Sequence, residues 1–417
     1  MTVSRPPRRR AHARISPVSA AALAAACCLA AVTAVPAAAS SGDGHGSSAA
    51  ASSAVAGGGA LLAEPGVHVL PRADTPALPS GVSALSWTVS DARTGQVLAA
   101  KDAHRALPPA STLKTLFADT VMPRFPATMK HTVTDADLAG LGEGSSLVGV
   151  QPGQTYSVAD LWRGVFLASG NDAVHVLAHM NGSVQQTVDQ MQAKAKMLGA
   201  TDTHVVTPDG YDEPGQVSSA YDLAIFARAG LTDADFASYA STKDSQFPGG
   251  EDEDGALVPS FGIQNTNRLL TGAKGVTPYQ GLVGVKNGYT TNAGNTLVAA
   301  ARRDGRTLIV TLMNPQSGAY NAVYSEATKL LDWGFSAAGR TSSVGTLNTA
   351  QAAAADSPKR APQPQPQQVK PRQAKESTVS ARSAVASATA WYIGGALVLT
   401  AAVCVLLLRR RTAAKGR

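Results

Sequence analysis

Residues 82–335 begin and end in strand patterns and carry helical patterns between them. That order restricts the fold more than any other feature. At the front, Leu85, Trp87 and Val89 alternate with Ser86, Thr88 and Ser90, the period of a half-buried strand. Asp91-Ala92-Arg93-Thr94-Gly95 reads as a turn, and Gln96 to Lys101 as the returning strand of a hairpin. At the back, residues 281–285 read as a strand, and 295–301 with 307–312 form a second hairpin around Arg303-Asp304-Gly305. Between them, residues 158–198 read as helical, with Ser157 as N-cap and Leu161, Val165, Leu167, Val174, Leu177 and Ala178 facing inward. Residues 221–229 read as another helix, and 320–335 as a closing amphipathic one with Tyr324, Leu330, Leu331 and Trp333. The expected architecture is an α/β sandwich whose sheet unites both ends of the domain.

The net charge of +7 over 417 residues suggests a nucleic-acid or membrane partner until it is located. Residues 82–335 hold 18 Lys+Arg against 24 Asp+Glu, a net of −6, while the flanks hold 18 against 5, a net of +13. The basic character belongs to the tails, and a mildly acidic core argues against a nucleic-acid partner. Residues 1–39 have an arginine-rich start, an alanine-rich apolar run and small residues around Ala39, the order of a secretory signal. Residues 40–81 read as a disordered linker and 336–387 as a Pro/Gln/Ala-rich stalk. Residues 388–408 are 21 uncharged residues that begin near Trp391-Tyr392 and stop at Arg409-Arg410-Arg411. That is the length of a transmembrane helix, with 409–417 as a basic cytoplasmic tail. The expected location is therefore the cell membrane, with the domain outside and the C-terminus inside. All three cysteines, Cys27, Cys28 and Cys404, lie in the apolar end segments, so the domain has no disulfide or cysteine-held metal. The acidic run at 249–255 reads as a solvated turn, because its spacing matches no calcium loop.

The chemistry centres on Pro109-Ala110-Ser111-Thr112-Leu113-Lys114. A serine three residues before a lysine at a helix start shares its face, with Cβ atoms roughly 5–6 Å apart. A desolvated lysine loses proton affinity and can serve as base to the hydroxyl. Ser169-Gly170-Asn171 and Lys286-Asn287-Gly288 follow; each alone would read as a turn or cap. His175 and His179 have the i, i+4 spacing of some metal sites, but no glutamate follows His175 and no third ligand is evident, so a structural role is expected.

These three motifs, in this order, resemble those of the serine-type D-alanyl-D-alanine carboxypeptidases. The resemblance runs from about Ala84 to Phe335 and includes Asp91-x-x-Thr94-Gly95, Met197-Leu198-Gly199, Thr207-Pro208-Asp209-Gly210, Asn265-Thr266-Asn267-Arg268-Leu269-Leu270 and Ala293-Gly294. It implies a DD-peptidase/β-lactamase-like sandwich: a mainly antiparallel sheet flanked by helices, with an inserted helical subdomain. It implies removal of the terminal D-alanine from peptidoglycan stem peptides ending in D-Ala-D-Ala, and covalent inhibition by β-lactams. Ser111 would attack, Lys114 would take its proton and Ser169 would relay a proton to the leaving amine. Asn171 would grip a substrate amide, and Lys286 would offer a positive charge to the terminal carboxylate. Backbone N–H groups of Ser111 and, by family position, Tyr289 would form the oxyanion hole. No metal or other cofactor is called for. Asn287 stands where the pattern usually has threonine, which alters the carboxylate contact, and Gly288 leaves room for close approach. Two other readings are a β-lactamase, against which stands the absence of a Glu-x-x-Leu-Asn segment after Ser169, and a catalytically impaired wall-binding module, against which stand Ser111, Lys114, Ser169 and Lys286.

Overall fold

The computed structural model describes residues 58–249, 256 and 259–347. The expected signal, most of the stalk, the expected transmembrane helix and residues 250–255 of the acidic loop lie outside them. No helix among the described residues is long and apolar enough to cross a membrane.

In chain order the strands are β1 (Val67–Pro71), β2 (Ala84–Asp91), β3 (Gln96–Lys101), β4 (Lys130–Thr132), β5 (Thr155–Ser157), β6 (Asp244–Phe247), β7 (Phe261–Gln264), β8 (Leu282–Thr290), β9 (Gly294–Arg303), β10 (Arg306–Pro315), β11 (Thr341–Ser342) and β12 (Gly345–Thr346). The helices are α1 (Ala60–Ala63), α2 (Lys114–Val121), α3 (Val158–Arg163), α4 (Asn171–Met180), α5 (Val184–Met197), α6 (Ala220–Gly230), α7 (Ala234–Ser241), α8 (Arg268–Thr271) and α9 (Ala322–Ala337). The main sheet is antiparallel in the order β11-β1-β3-β2-β10-β9-β8, with β12 also on β3. The two ends of the domain meet at its centre, where β2 and β10 pair from Asp91↔Leu308 to Ala84↔Pro315.

Strand alternation sorts the core into two layers. Trp87, Val89, Leu297, Ala299, Leu308, Val310 and Leu312 pack with Leu330, Leu331 and Trp333 of α9. On the opposite face, Val298, Ala300, Ile309 and Met313 join the larger cluster with α2, α4 and α6. The half-buried reading of β2 is thus corrected: helices cover both faces, and Ser86, Thr88 and Ser90 are all buried. Their hydroxyls are satisfied internally, Ser86 on Asp102 O, Thr88 against Thr311 Oγ1 at 2.7 Å and Ser90 on Ile309 O. A polar strand face can therefore be interior when each hydroxyl finds a partner.

Two expected boundaries move outward. The linker at 40–81 already contains β1, which pairs with β3 (Val67↔Lys101, Val69↔Ala99) and with β11 (Leu70↔Ser342). The domain continues past 335 to β12, where Thr346 pairs with Gln96. These strands are short and only partly buried, so pairing holds them and no apolar alternation announces them. The continuous helix expected over 158–198 is also broken. A π-helical turn, Gly164–Ala168, follows α3, and Ser169 takes a left-handed φ of 60°. Gly182, at φ 114°, then separates α4 from α5. The first break brings Asn171 to the cleft, two residues after the buried Ser169; single π-turns are frequent at functional sites.

Candidate active site

Ser111 sits in a 3-10 turn, Ala110–Leu113, that runs straight into α2. Its neighbours fix that turn tightly. Gly210, at φ +86°, lies where a Cβ would fall 1.9 Å from Ala110 O, so only glycine fits. A Cβ on Gly288 of β8 would meet Ser111 N at 2.7 Å and Ala110 Cβ at 2.9 Å. Thr296 Oγ1 donates to Pro109 O at 2.9 Å. The edge strand carrying Tyr289 therefore runs alongside the backbone of the nucleophile, where an oxyanion would need its donors.

Lys114 is 1% exposed, and three oxygens surround its Nζ: Ser111 Oγ at 2.7 Å, Asn171 Oδ1 at 2.7 Å and Asp209 O at 2.9 Å. A neutral amine has two N–H bonds and one lone pair. Asn171 and Asp209 are fixed acceptors with no proton to offer from those atoms, so they take the two N–H bonds. The lone pair is left for the Ser111 hydroxyl, which is the arrangement of a general base. Burial lowers the Lys114 pKa from 10.5 to about 8, against the raising fields of Asp209 and Asp172.

The structure shows which protein partners the expected site residues have. Asn171, expected to grip a substrate amide, lines the cleft; it aims Lys114 through Oδ1 and donates through Nδ2 to Ser145 Oγ at 3.0 Å. Lys286, expected to face a terminal carboxylate, is 1% exposed and donates to Asn287 O at 2.9 Å. Burial first, and the Lys114 charge second, push its pKa well below the ordinary lysine value. Ser169 is buried two residues before Asn171, but its hydroxyl is not among the three oxygens on Lys114. Asn287 was expected to reach the carboxylate. Its Oδ1 accepts from Thr266 Oγ1 at 2.9 Å.

An open cleft of about 290 Å³ lies over Ser111, lined also by Ser145, Asn171, Gly210, Tyr211 and Tyr289. Tyr289 is 68% exposed at its rim. Two contributors carried no role in the sequence reading. Asp209 was visible only as part of the Thr207-Pro208-Asp209-Gly210 match. Asp172 follows the second motif directly, and its carboxylate accepts the N–H groups of Val148, Gly149, Val150 and Ala173, clamping the cleft-wall loop to α4.

Asn287→Ala is expected to lower acylation about fivefold, the effect of one lost hydrogen bond near 1 kcal/mol. The loss should be equal for substrates with a free and an amidated C-terminus, as Asn287 Oδ1 holds Thr266. A loss confined to the free carboxylate, measured with paired peptides, would return Asn287 to the carboxylate contact.

A serine with a buried lysine base beneath an open cleft, on an antiparallel sheet covered by helices, defines a serine acyl-transfer enzyme. The family model for D-alanyl-D-alanine carboxypeptidase matches residues 72–317. The chain is 39% identical over 282 residues to the D-alanyl-D-alanine carboxypeptidase DacB2 of Mycobacterium tuberculosis, covering 67% of this chain and 90% of that one. A solved D-alanyl-D-alanine carboxypeptidase from the same organism aligns with a TM-score of 0.58 at 37% identity, over 67% of this chain and 100% of that one. The DD-transpeptidase of Streptomyces K15 aligns with a TM-score of 0.57 at 27% identity, over 62% and 99%. The chain belongs to the D-alanyl-D-alanine carboxypeptidase family.

Proposed function

We propose that the protein removes the terminal D-alanine from peptidoglycan stem peptides ending in D-Ala-D-Ala, and that β-lactams acylate the same serine. The observation that carries this reading is the Lys114 amine, 2.7 Å from Ser111 Oγ with its other bonds occupied. Ser111 Oγ attacks the carbonyl between the two D-alanines while its proton passes to Lys114 Nζ. The tetrahedral oxyanion takes backbone N–H bonds from Ser111 and Tyr289. The C–N bond breaks as a proton reaches the leaving amine through Ser169, and D-alanine departs. Water then enters, loses a proton to the base and releases the shortened peptide from the ester. Glycine at 288 lets β8 lie against the nucleophile turn, and among the described residues the outer edge of β8 has no strand partner to compete with a substrate backbone.

The sequence of the flanks supports a tethered, extracytoplasmic enzyme, with 1–39 as export signal, 336–387 as stalk and 388–408 as anchor. One experiment tests both parts. Full-length protein and a form ending after residue 347 are fractionated, then incubated with a synthetic D-Ala-D-Ala pentapeptide and followed by mass spectrometry. The expected result is loss of one alanine by both forms, with only the full-length form in the membrane fraction. An unchanged pentapeptide overturns the activity. An adduct with an added amino acid and no hydrolysis product makes the enzyme a transpeptidase. A soluble full-length form overturns the tether.

A further inference from the structure

Beneath Lys114 lies a buried acidic side chain that the steps above leave unused. Asp209 is 2% exposed. Its carbonyl oxygen holds the Lys114 amine, while its carboxylate Oδ1 accepts from Thr207 Oγ1 at 2.8 Å and from Tyr211 N–H at 3.0 Å. The next residue, Gly210, is wedged against Ala110 O, so Asp209 and the nucleophile turn cannot move independently. The other carboxylate oxygen, Oδ2, faces His175 Nε2 at 3.9 Å, one helical turn beyond Asn171 on α4. His175 Nδ1 in turn lies 3.2 Å from Ala139 O.

We propose that Asp209 is the positioning residue of the general base: its carbonyl oxygen aims the Lys114 amine at Ser111, and its buried carboxylate sets how firmly that amine holds a proton. This rests on the Ser111–Lys114 acylation proposed above.

The charged groups facing Lys114 come from three elements: Asp209 from its loop, Asp172 and His175 from α4, and Lys286 from β8. They are not equivalent. The charge of Asp172 is spread over four backbone N–H bonds, whereas that of Asp209 meets two donors and a long approach from His175. Asp209 also stands first among the groups whose field raises the Lys114 pKa. His175 faces Asp209, Lys114 and His179, and burial lowers its pKa, so a neutral ring leaves the Asp209 charge uncancelled. When Ser111 attacks, its proton arrives on Lys114, and the new ammonium is held by Asn171 Oδ1 and Asp209 O with the Asp209 carboxylate behind them. The same field that stabilises this ammonium keeps the resting amine protonated to higher pH. Asp209 therefore exchanges low-pH activity for a faster plateau.

The test is the second-order rate of acylation by a labelled penicillin from pH 5 to 9.5, in the folded wild type, Asp209→Asn and Thr207→Val. Asparagine keeps an acceptor for Thr207 and Tyr211 but carries no charge. Its acid limb is expected to move down by ~0.5 pH unit or more, with a plateau about tenfold lower. At two units below the wild-type midpoint it then retains about threefold more of its own plateau than the wild type does, which a purely structural loss does not produce. Thr207→Val removes one donor and leaves the charge stronger, so its limb moves the opposite way. Limbs that coincide with wild type in both variants, at unchanged melting temperature, overturn the proposal. A wild-type profile with no acid limb overturns the Ser111–Lys114 reading itself, whatever the variants do.

Discussion

Ser111→Ala is expected to leave a folded protein that no labelled penicillin marks and that turns over a D-Ala-D-Ala peptide about 10⁶-fold more slowly, the scale of losing a serine nucleophile. The fold should survive because the hydroxyl makes one hydrogen bond, to Lys114, while the turn is held by Gly210, Gly288 and Thr296 through backbone and packing contacts. Ser111 is half-buried beneath the cleft, and alanine fits the same space. The measurement is fluorescent penicillin labelling with peptide mapping, beside a thermal melt. A labelled peptide mapping to another residue in the variant would reassign the nucleophile.

The second large effect belongs to Lys114. Lys114→Arg keeps a cation at the position but provides no lone pair, since a guanidinium stays protonated throughout the working range. Acylation is expected to fall by about three orders of magnitude, within the usual worth of general-base help. The pH dependence carries the same message with a definite sign. The active form of Lys114 is the neutral amine, and its pKa lies at about 8. Acylation by the wild type should therefore rise with pH through that region and level off above it. The arginine variant should lose this limb. Near-normal rates in a folded Lys114→Arg protein would show that another group takes the Ser111 proton.

The order of elements was legible in the sequence because period-two and period-3.6 patterns survive in β2, β3, β9, β10, α6 and α9. The nucleophile and its base were legible too, since one helical turn places them together without help from the rest of the chain. What the sequence hid depends on distant packing. β1, β11 and β12 exist only as partners of β3 and of one another. The sealing of Lys286 needs the packing of β8 against α7 and the nucleophile turn. The service of Asn171 to Lys114, and the place of Asp209 beneath it, require Lys114 to meet segments 57 and 95 residues further along the chain. The burial of Lys286, expected to offer a charge, was equally hidden from its motif.

The pairing of β2 with β10 has a consequence for the birth of the protein. The hydroxyls of Thr88 and Thr311 that touch in the middle of the sheet are 223 positions apart. Ser111 emerges early in synthesis, yet Gly288 and Thr296, which brace its turn, come nearly two hundred residues later. The hairpin of β2 and β3, with β1 on its outer side, has nothing to pair with β2 on its inner side until β10 arrives. Contacts of such long range close late and slowly. A nascent chain thus carries the nucleophile without its supports. The site is competent only after almost the whole domain has been made, so a partial chain carries the serine without its reactivity.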